Sequence, residues 1–396
     1  MANGMVRSAA ILGLLSCVGP FSIDMYLPAM PQIGADLGTS VTDVQNTITG
    51  FFVAFGLAQL VYGPWADQSG RKPPLYLGLT LFVIASLGCI FAQTILGLTG
   101  WRFLQGLGAA VVMVVPRAII RDMHTGHEAT RLMAMIMLVI SISPMLAPLA
   151  GSAVIAIAGW RAIFAVLCLA AIASLLMTAF LLPETLRPEN RITVRPSALW
   201  AGTRTLIGDP MFMGLTFIGG FGMASFFVFI ASASFVYTSD FGLSPIGFSL
   251  AFAFNAIGFF SASQLAAGLG QRYGARRVVF WATGGFALTA VGLSLVVFMA
   301  GSSLMIVVGG LFLANAFLGL VIPTTMVMAL DDHGDIAGLA SSLGGTMQML
   351  AGGLVVALTG PFFDGSALPM VMAIAACAVL AFALALAVLA RAPRPR

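Results

Sequence analysis

In the stretch SIDMYLPAMP, residues 22–31, Asp24 lies near the end of the apolar run that begins at Ser8. An unpaired ionised group in hydrocarbon is expensive, so an acid in such a place marks function. Of all the acidic residues, Asp24 alone lies well inside a predicted membrane span. A carboxylate poised between burial and a nearby cation, and reached in turn from each side of a membrane, is suited to carry protons. Arg102 offers such a cation. Asp24 lies about seven residues, or roughly 10 Å at 1.5 Å per residue, below an outer edge near Pro31. Arg102 lies about six residues below the same edge, in a helix running the other way. The bland reading of the two residues is a permanent ion pair that holds the first and fourth helices in register. Arg117, about fifteen residues after Arg102, points within about 60° of it at 100° per residue. It either lines the inner mouth of a cavity or snorkels to the headgroups.

The remaining reactive side chains point away from catalysis. Cys17, Cys89, Cys168 and Cys377 are dispersed through apolar runs with no paired spacing, so neither a disulfide framework nor a metal site is expected. His124, His127 and His333 fall in short polar connections, which argues against a metal cluster within the membrane. The spans hold no clustered acids and no nucleophile–base pair, so the chain does not read as an enzyme. With no G-x-x-x-x-G-K-[ST] run, an ATP-driven pump is excluded as well.

These residues must be held by membrane helices. About 60% of the 396 residues are hydrophobic and 8% charged, far from the proportions of a soluble domain. A helix crosses the hydrocarbon in about 20 residues. Apolar runs bounded by Gly, Pro or charge predict twelve spans near 8–30, 44–63, 75–92, 97–120, 132–156, 161–182, 211–236, 245–268, 278–299, 303–329, 337–359 and 368–390. An initial signal peptide is disfavoured, because no soluble mature domain follows. Lys and Arg then set the sidedness. Arg7, Arg71 with Lys72, Arg121 with Arg131, Arg187 through Arg204, Arg272 with Arg276 and Arg277, and the arginines of the tail all fall on one side if the spans alternate. Arg161, at a helix edge, is the exception. Both termini are therefore expected in the cytoplasm. The formal charge of +4 reflects this orientation and not nucleic-acid binding, since the basic residues sit in separated loops.

The segment PETLRPENRITVRPSALWAGTRTLIGDP, residues 183–210, divides six spans from six. The expected organisation is a bundle over 1–182, a cytoplasmic linker over 183–210 and a second bundle over 211–396. Sliding the chain by about 204 residues lays ADQSGRKP (66–73) over GQRYGARR (270–277), matching Gly70 to Gly274 and Lys72 to Arg276. Two related six-helix halves are the architecture of many secondary transporters, with the substrate site near mid-membrane. The fold expected is thus an all-α membrane protein of twelve helices in two pseudo-symmetric bundles.

The loop GPWADQSGRKPP (63–74) resembles the signature between the second and third spans of the major facilitator superfamily, with Gly63, Asp67, Gly70, Arg71 and Lys72 in its key positions. GWRFLQGLGAA (100–110) is similar to the family's second motif through Arg102, Gln105, Gly106 and Gly108. SPMLAPLAGS (143–152) resembles the antiporter motif through Pro144, Ala147, Pro148 and Gly151, although two of that motif's glycines are lost. Read without the family, it is a proline-kinked helix with a packing seam. The opening stretch, with its Ile-Asp-Met-Tyr-Leu-Pro, together with PETL (183–186) and DIAGLASSL (335–343), resembles the bicyclomycin-resistance (Bcr/CflA) subfamily of drug/proton antiporters, to which the phenicol exporters belong. The resemblance covers nearly the whole chain. It implies a conformational latch formed by Asp67 and Arg71, one-sided because the second copy carries Gln271 and Ala275. Arg71 is expected to pair with Asp122, and Asp67 to face the N-terminus of the eleventh helix. The acidic loop LDDHGDIAG (330–338) then reads as Asp335 capping that helix, since three acids in a solvated loop bind cations weakly.

The second half carries no membrane-buried charge. Its Met and Phe residues suit neutral or weakly polar lipophilic substrates, with Phe227, Asn255 and Asn315, and in the first half Tyr26, Gln105 and Arg117, as cavity candidates. The function expected is proton-driven export of small lipophilic drugs or antibiotics of the phenicol or bicyclomycin kind across a bacterial inner membrane, by alternating access. The alternative is proton-coupled transport of a specific solute such as an amino acid or sugar. No cofactor or metal is expected, the proton gradient supplying the energy. The expected partners are the substrate, protons and the bilayer, with no nucleic acid and with a monomer as the working unit.

Overall fold

The computed structural model describes residues 2–123, 126–191 and 196–389. Among these residues there is no β-strand, and twelve helices are long and apolar enough to cross a membrane. The spans run Ala10–Leu37, Val41–Ser69, Lys72–Ile90, Ile95–Met123, Met135–Ala158, Arg161–Phe180, Pro210–Asp240, Pro245–Tyr273, Ala275–Ala300, Leu304–Asp331, Gly334–Phe362 and Ala367–Leu389. Their number agrees with the apolar runs in the sequence, and several extend beyond them. His124 and the side chains of Arg7, His127, Arg131, Arg195 and the arginines of the tail lie outside what is described.

The extensions have local causes. The first span is not one helix ending near Pro31. A helix over Ala2–Asp24 stops, a 3₁₀ turn covers Leu27–Ala29, and a second helix runs Met30–Leu37. Pro28 has no N–H to offer the carbonyl four residues earlier, which is that of Asp24, so the helix breaks there. Asp24 consequently sits near the middle of the span rather than close to its edge. The second helix continues through Pro64 to Ser69, so Gly63 and Asp67 are helical and the loop expected over 63–74 shrinks to Gly70 and Arg71. The linker carries a 3₁₀ turn at Pro188–Asn190 and a helix at Pro196–Gly208.

The chain separates into two compact units, residues 1–196 and 197–396. In the first, the second span packs on the fourth, the third on the sixth and the first on the fifth. In the second, the eighth packs on the tenth, the ninth on the twelfth and the seventh on the eleventh. The pairing is the same once six spans are added. Chain-level signals repeat with it. Ser40 and Thr94 cap the second and fourth spans by accepting from the backbone N–H groups of Asp43 and Gly97, as Ser244 and Ser303 do for the eighth and tenth. Left-handed glycines recur at Gly38 and Gly242, Gly70 and Gly274, and Gly159 and Gly365, each pair about 204 residues apart. A side chain is strained at such φ values, which explains why glycine is kept at these turns.

Close helix approach rests on the same device in both units. A Cβ on Gly106 would lie 2.3 Å from the Phe51 carbonyl oxygen, and one on Gly319 would lie 2.1 Å from that of Phe259. The second and fourth spans, like the eighth and tenth, therefore meet backbone to backbone.

Candidate functional site

A buried polar cluster of the first unit surrounds Arg102, whose side chain is fully buried. Its Nη1 donates to the Gln105 side-chain oxygen at 2.6 Å and to the Ser22 carbonyl at 3.1 Å. Gln105 in turn donates to Ser86 Oγ at 2.8 Å. The rings of Tyr26 and Phe51 lie 4.5 and 4.4 Å from the guanidinium carbon. A desolvated cation held against two aromatic rings gains about 2 kcal/mol or more from each good face. The Tyr26 hydroxyl shares a 2.7 Å hydrogen bond with Thr47 Oγ1, which ties the first span to the second.

Asp24 is only 5% exposed, and among the described residues it has neither a hydrogen-bond nor an ion-pair partner. The permanent Asp24–Arg102 ion pair considered from the sequence is absent. Arg102 reaches the chain two residues before Asp24, at the Ser22 carbonyl, so the two groups share a depth without pairing. Aromatic faces take the place of a carboxylate beside the arginine. Arg117, half-buried in the same span, has no partner among the described residues either.

The antiporter-like stretch meets this cluster directly. A Cβ on Gly151 would come within 2.3 Å of the Met25 carbonyl oxygen, so the fifth span presses on the backbone next to Asp24. Pro144 and Pro148 lie inside the helix Gly126–Ala158, and Ala147 is buried.

A second constellation gathers at the Gly70–Arg71 turn. Arg71 binds Asp122 through Nε at 2.7 Å and Nη2 at 3.0 Å, and Asp67 through Nη1 at 2.6 Å. Burial pushes the Arg71 guanidinium down, but the hydrogen bonds and charges of Asp122 and Asp67 outweigh it and leave its pKa above the ordinary arginine value. Lys72 sends its Nζ to the Ala179 carbonyl at 3.4 Å. Two residues absent from the sequence-based set complete the turn. Glu184 accepts from the backbone N–H of Arg71 at 2.9 Å and of Lys72 at 3.1 Å, so it caps the third span from a distant segment. Thr185 donates to Asp122 at 2.9 Å. The PETL segment was legible only as a family mark; no spacing rule brings residue 184 to residue 71.

Asp335 does not cap the eleventh helix. It sits in the 3₁₀ turn Gly334–Ile336, and the residue at the cap is Ile336, with no side-chain acceptor. The acidic connection is anchored instead by His333, whose Nε2 is 2.9 Å from Asp209 Oδ2 and whose ring meets that of Phe212 edge-on. Asp209 spends its other oxygen on the Met211 N–H at the start of the seventh span.

The second unit repeats the Arg102 cluster without its charge. Asn315, in the tenth span, reaches Asn255 in the eighth at 3.5 Å, and Asn255 reaches the Tyr237 hydroxyl in the seventh at 3.5 Å. Tyr237, Asn255 and Asn315 thus occupy the helices that correspond to those of Tyr26, Phe51 and Arg102. Phe227 is buried, with its ring over Gly352 of the eleventh span.

Comparison with known proteins agrees with these motifs. Residues 12–357 match the family described as Major Facilitator Superfamily. An uncharacterised MFS-type transporter, YdgK of Bacillus subtilis, is 34% identical over 91% of this chain and 90% of its own length. A bicyclomycin resistance protein homolog of Haemophilus influenzae is 29% identical over 93% of this chain and 92% of its own. A D-xylose–proton symporter of known structure superimposes with a TM-score of 0.76 at 15% identity, covering 96% of this chain and 97% of that one, which shows the shared fold. The chain is therefore a multi-pass membrane protein that belongs to the Major Facilitator Superfamily, a family of transporters.

Proposed function

We propose that the protein exports small, mostly lipophilic compounds, such as antibiotics of the bicyclomycin or phenicol kind, in exchange for protons. The observation that carries the reading is Asp24, a desolvated carboxylate without a partner, placed at a helix break in the first span. Charge is costly there and a bound proton removes that cost. Asp24 would take a proton from one side and release it to the other as the protein alternates its access, while Arg102 supplies a fixed charge beside the same stretch of chain. The proton gradient is the energy source, with no cofactor. Asp67, Arg71 and Asp122 form the latch that the family resemblance implies, with Gly63, Gly70 and Lys72 shaping it.

Substrate selectivity would reside mainly in the second unit, where Asn255, Asn315 and the surrounding Phe and Met residues carry no charge. The protein would work as a monomer in a bacterial inner membrane with both termini in the cytoplasm, as the distribution of Lys and Arg favours. The name of the Haemophilus relative supports the choice of substrate class. The experiment is a drug-susceptibility panel in an efflux-deficient host, comparing wild type with Asp24→Asn. Raised tolerance to at least one lipophilic antibiotic, lost in the variant, is expected. If the wild type raises tolerance to none, export of drugs is wrong and transport of a specific solute takes its place.

A further inference from the structure

The loop between the eighth and ninth spans reads GQRYGARR and carries Arg272, Arg276 and Arg277. From Pro245 to Leu330 the chain contains no Asp or Glu. Arg272 and Arg277 therefore meet no carboxylate on their own helices. Arg272 lies over the Tyr273 ring at 5.2 Å, and Arg276 donates to the Leu389 carbonyl at the end of the twelfth span. Among the described residues, neither Arg272 nor Arg277 has a carboxylate partner.

A cleft of about 520 Å³, with Arg277 in its lining, lies between the eighth, ninth and tenth spans. That volume falls in the range of small-molecule sites. The exposed Tyr273, Arg277 and Trp281 form one wall of its lining, and the buried Val278 and Ala282 form its floor. The wall is open to the surroundings, since Trp281 is 72% exposed. Phe317 also lines the cleft, and Gly285 leaves room for its ring: a Cβ there would lie 2.5 Å from it. Trp and Tyr at this level are the residues that sit at a membrane's headgroup boundary.

We propose that this cleft binds an anionic phospholipid, with the phosphate at Arg277 and one acyl chain lying over Ala282 towards Phe317. Basic pockets between spans on the cytoplasmic side recognise anionic headgroups, each arginine near the surface contributing about fivefold in affinity. A free phosphate would use Arg277 and leave the apolar cleft unfilled. A neutral lipid would fill the cleft and leave Arg277 without an anion. An anionic lipid satisfies both parts. The proposal does not depend on what the protein transports.

The test is native mass spectrometry of the purified full chain with dioleoyl-phosphatidylglycerol, dioleoyl-phosphatidylcholine and inorganic phosphate as probes. Phosphatidylglycerol is expected to bind more tightly than phosphatidylcholine by on the order of fivefold or more. Arg277→Gln should remove most of that preference while Arg277→Lys keeps it. Ala282→Phe, which fills the floor, should weaken both lipids. Variants are compared only where size-exclusion profile and melting temperature match the wild type, and Arg277→Lys with Ala282→Phe decide the matter if Arg277→Gln does not. Equal binding of the two lipids would overturn the proposal. So would an unchanged preference in Arg277→Gln, undiminished lipid binding in Ala282→Phe, or complete displacement of phosphatidylglycerol by millimolar phosphate.

Discussion

Arg71 grips both carboxylate oxygens of Asp122, from Nε at 2.7 Å and Nη2 at 3.0 Å, and its side chain is only 6% exposed. A forked contact of this kind needs the planar guanidinium, so lysine is not a conservative replacement. Arg71→Lys and Asp122→Asn are each expected to lower stability by about 1.5–3 kcal/mol, the range for hydrogen bonds to charged groups. Asp67→Asn should cost less, because the Asp67 side chain is 45% exposed and solvent screens the contact. Thermal unfolding of the detergent-solubilised protein measures all three, and an unchanged Arg71→Lys variant would show that the fork is idle. Because the Arg71 pKa is raised in the fold, its share of this stability is whole below the ordinary arginine range and lost only as pH rises through the higher, folded value. Between pH 6 and pH 9, the stability difference between wild type and Arg71→Gln should not change on account of this group.

The two glycines of the same motif should part company. Gly63 has only Val114 Cγ1, at 3.9 Å, within reach of an added Cβ, whereas Gly70 has φ near 99° and would place a Cβ 2.7 Å from Glu184 Oε2. Gly63→Ala is expected to fold with near wild-type stability. Gly70→Ala should lose on the order of 1–3 kcal/mol from strain and displaced Glu184. Expression level and melting temperature, compared side by side, separate the two.

Glu184 caps the third span from outside it, so its loss should be felt at residues 71 and 72 rather than across the molecule. Glu184→Ala is expected to cost about 1 kcal/mol, as loss of a helix cap does. The amides of Arg71 and Lys72 should then exchange hydrogen roughly fivefold faster. Exchange mass spectrometry on peptides covering 68–78 reads this directly. A uniform rise across the unit would mean a global effect, and no rise would mean that water replaces the carboxylate without loss.

In the fifth span, Gly151 bears on the Met25 carbonyl. Gly151→Ala would force a methyl group to 2.3 Å from backbone oxygen. Overpacking of this sort costs about 1–3 kcal/mol, and here it displaces the chain beside Asp24. Transport should therefore fall even in preparations that remain folded. Full activity in Gly151→Ala would show that the fifth span does not set the position of the Asp24 segment.

What could be read in advance followed simple rules. Twelve apolar runs count as twelve helices, and the Gly70–Gly274 repeat reappears as matched left-handed turns. The placing of Asp122 at a helix end led to Arg71. Helix boundaries were less legible, because Pro28 breaks a helix at Asp24 while Pro64 is absorbed without a break, and tertiary packing decides between the two outcomes. Asp335 is not the cap that its place before the eleventh helix suggests, since capping depends on a backbone bend that composition does not report. The Arg102 surroundings were legible in depth but not in kind. An arginine and an aspartate at one level suggest an ion pair, and the structure gives the arginine two aromatic rings instead. The uncharged counterpart of Tyr237, Asn255 and Asn315 was visible only as separate polar residues, since their meeting depends on three helices converging.

The central claim is that Asp24 carries the coupled proton. Purified protein in liposomes, loaded with a transported antibiotic and given an inward proton gradient, should move the drug outward against its concentration in the wild type. Asp24→Asn should abolish that uphill movement while retaining binding of the same drug and its exchange at equal concentrations. Gradient-driven efflux that persists in a well-folded Asp24→Asn protein would contradict the account.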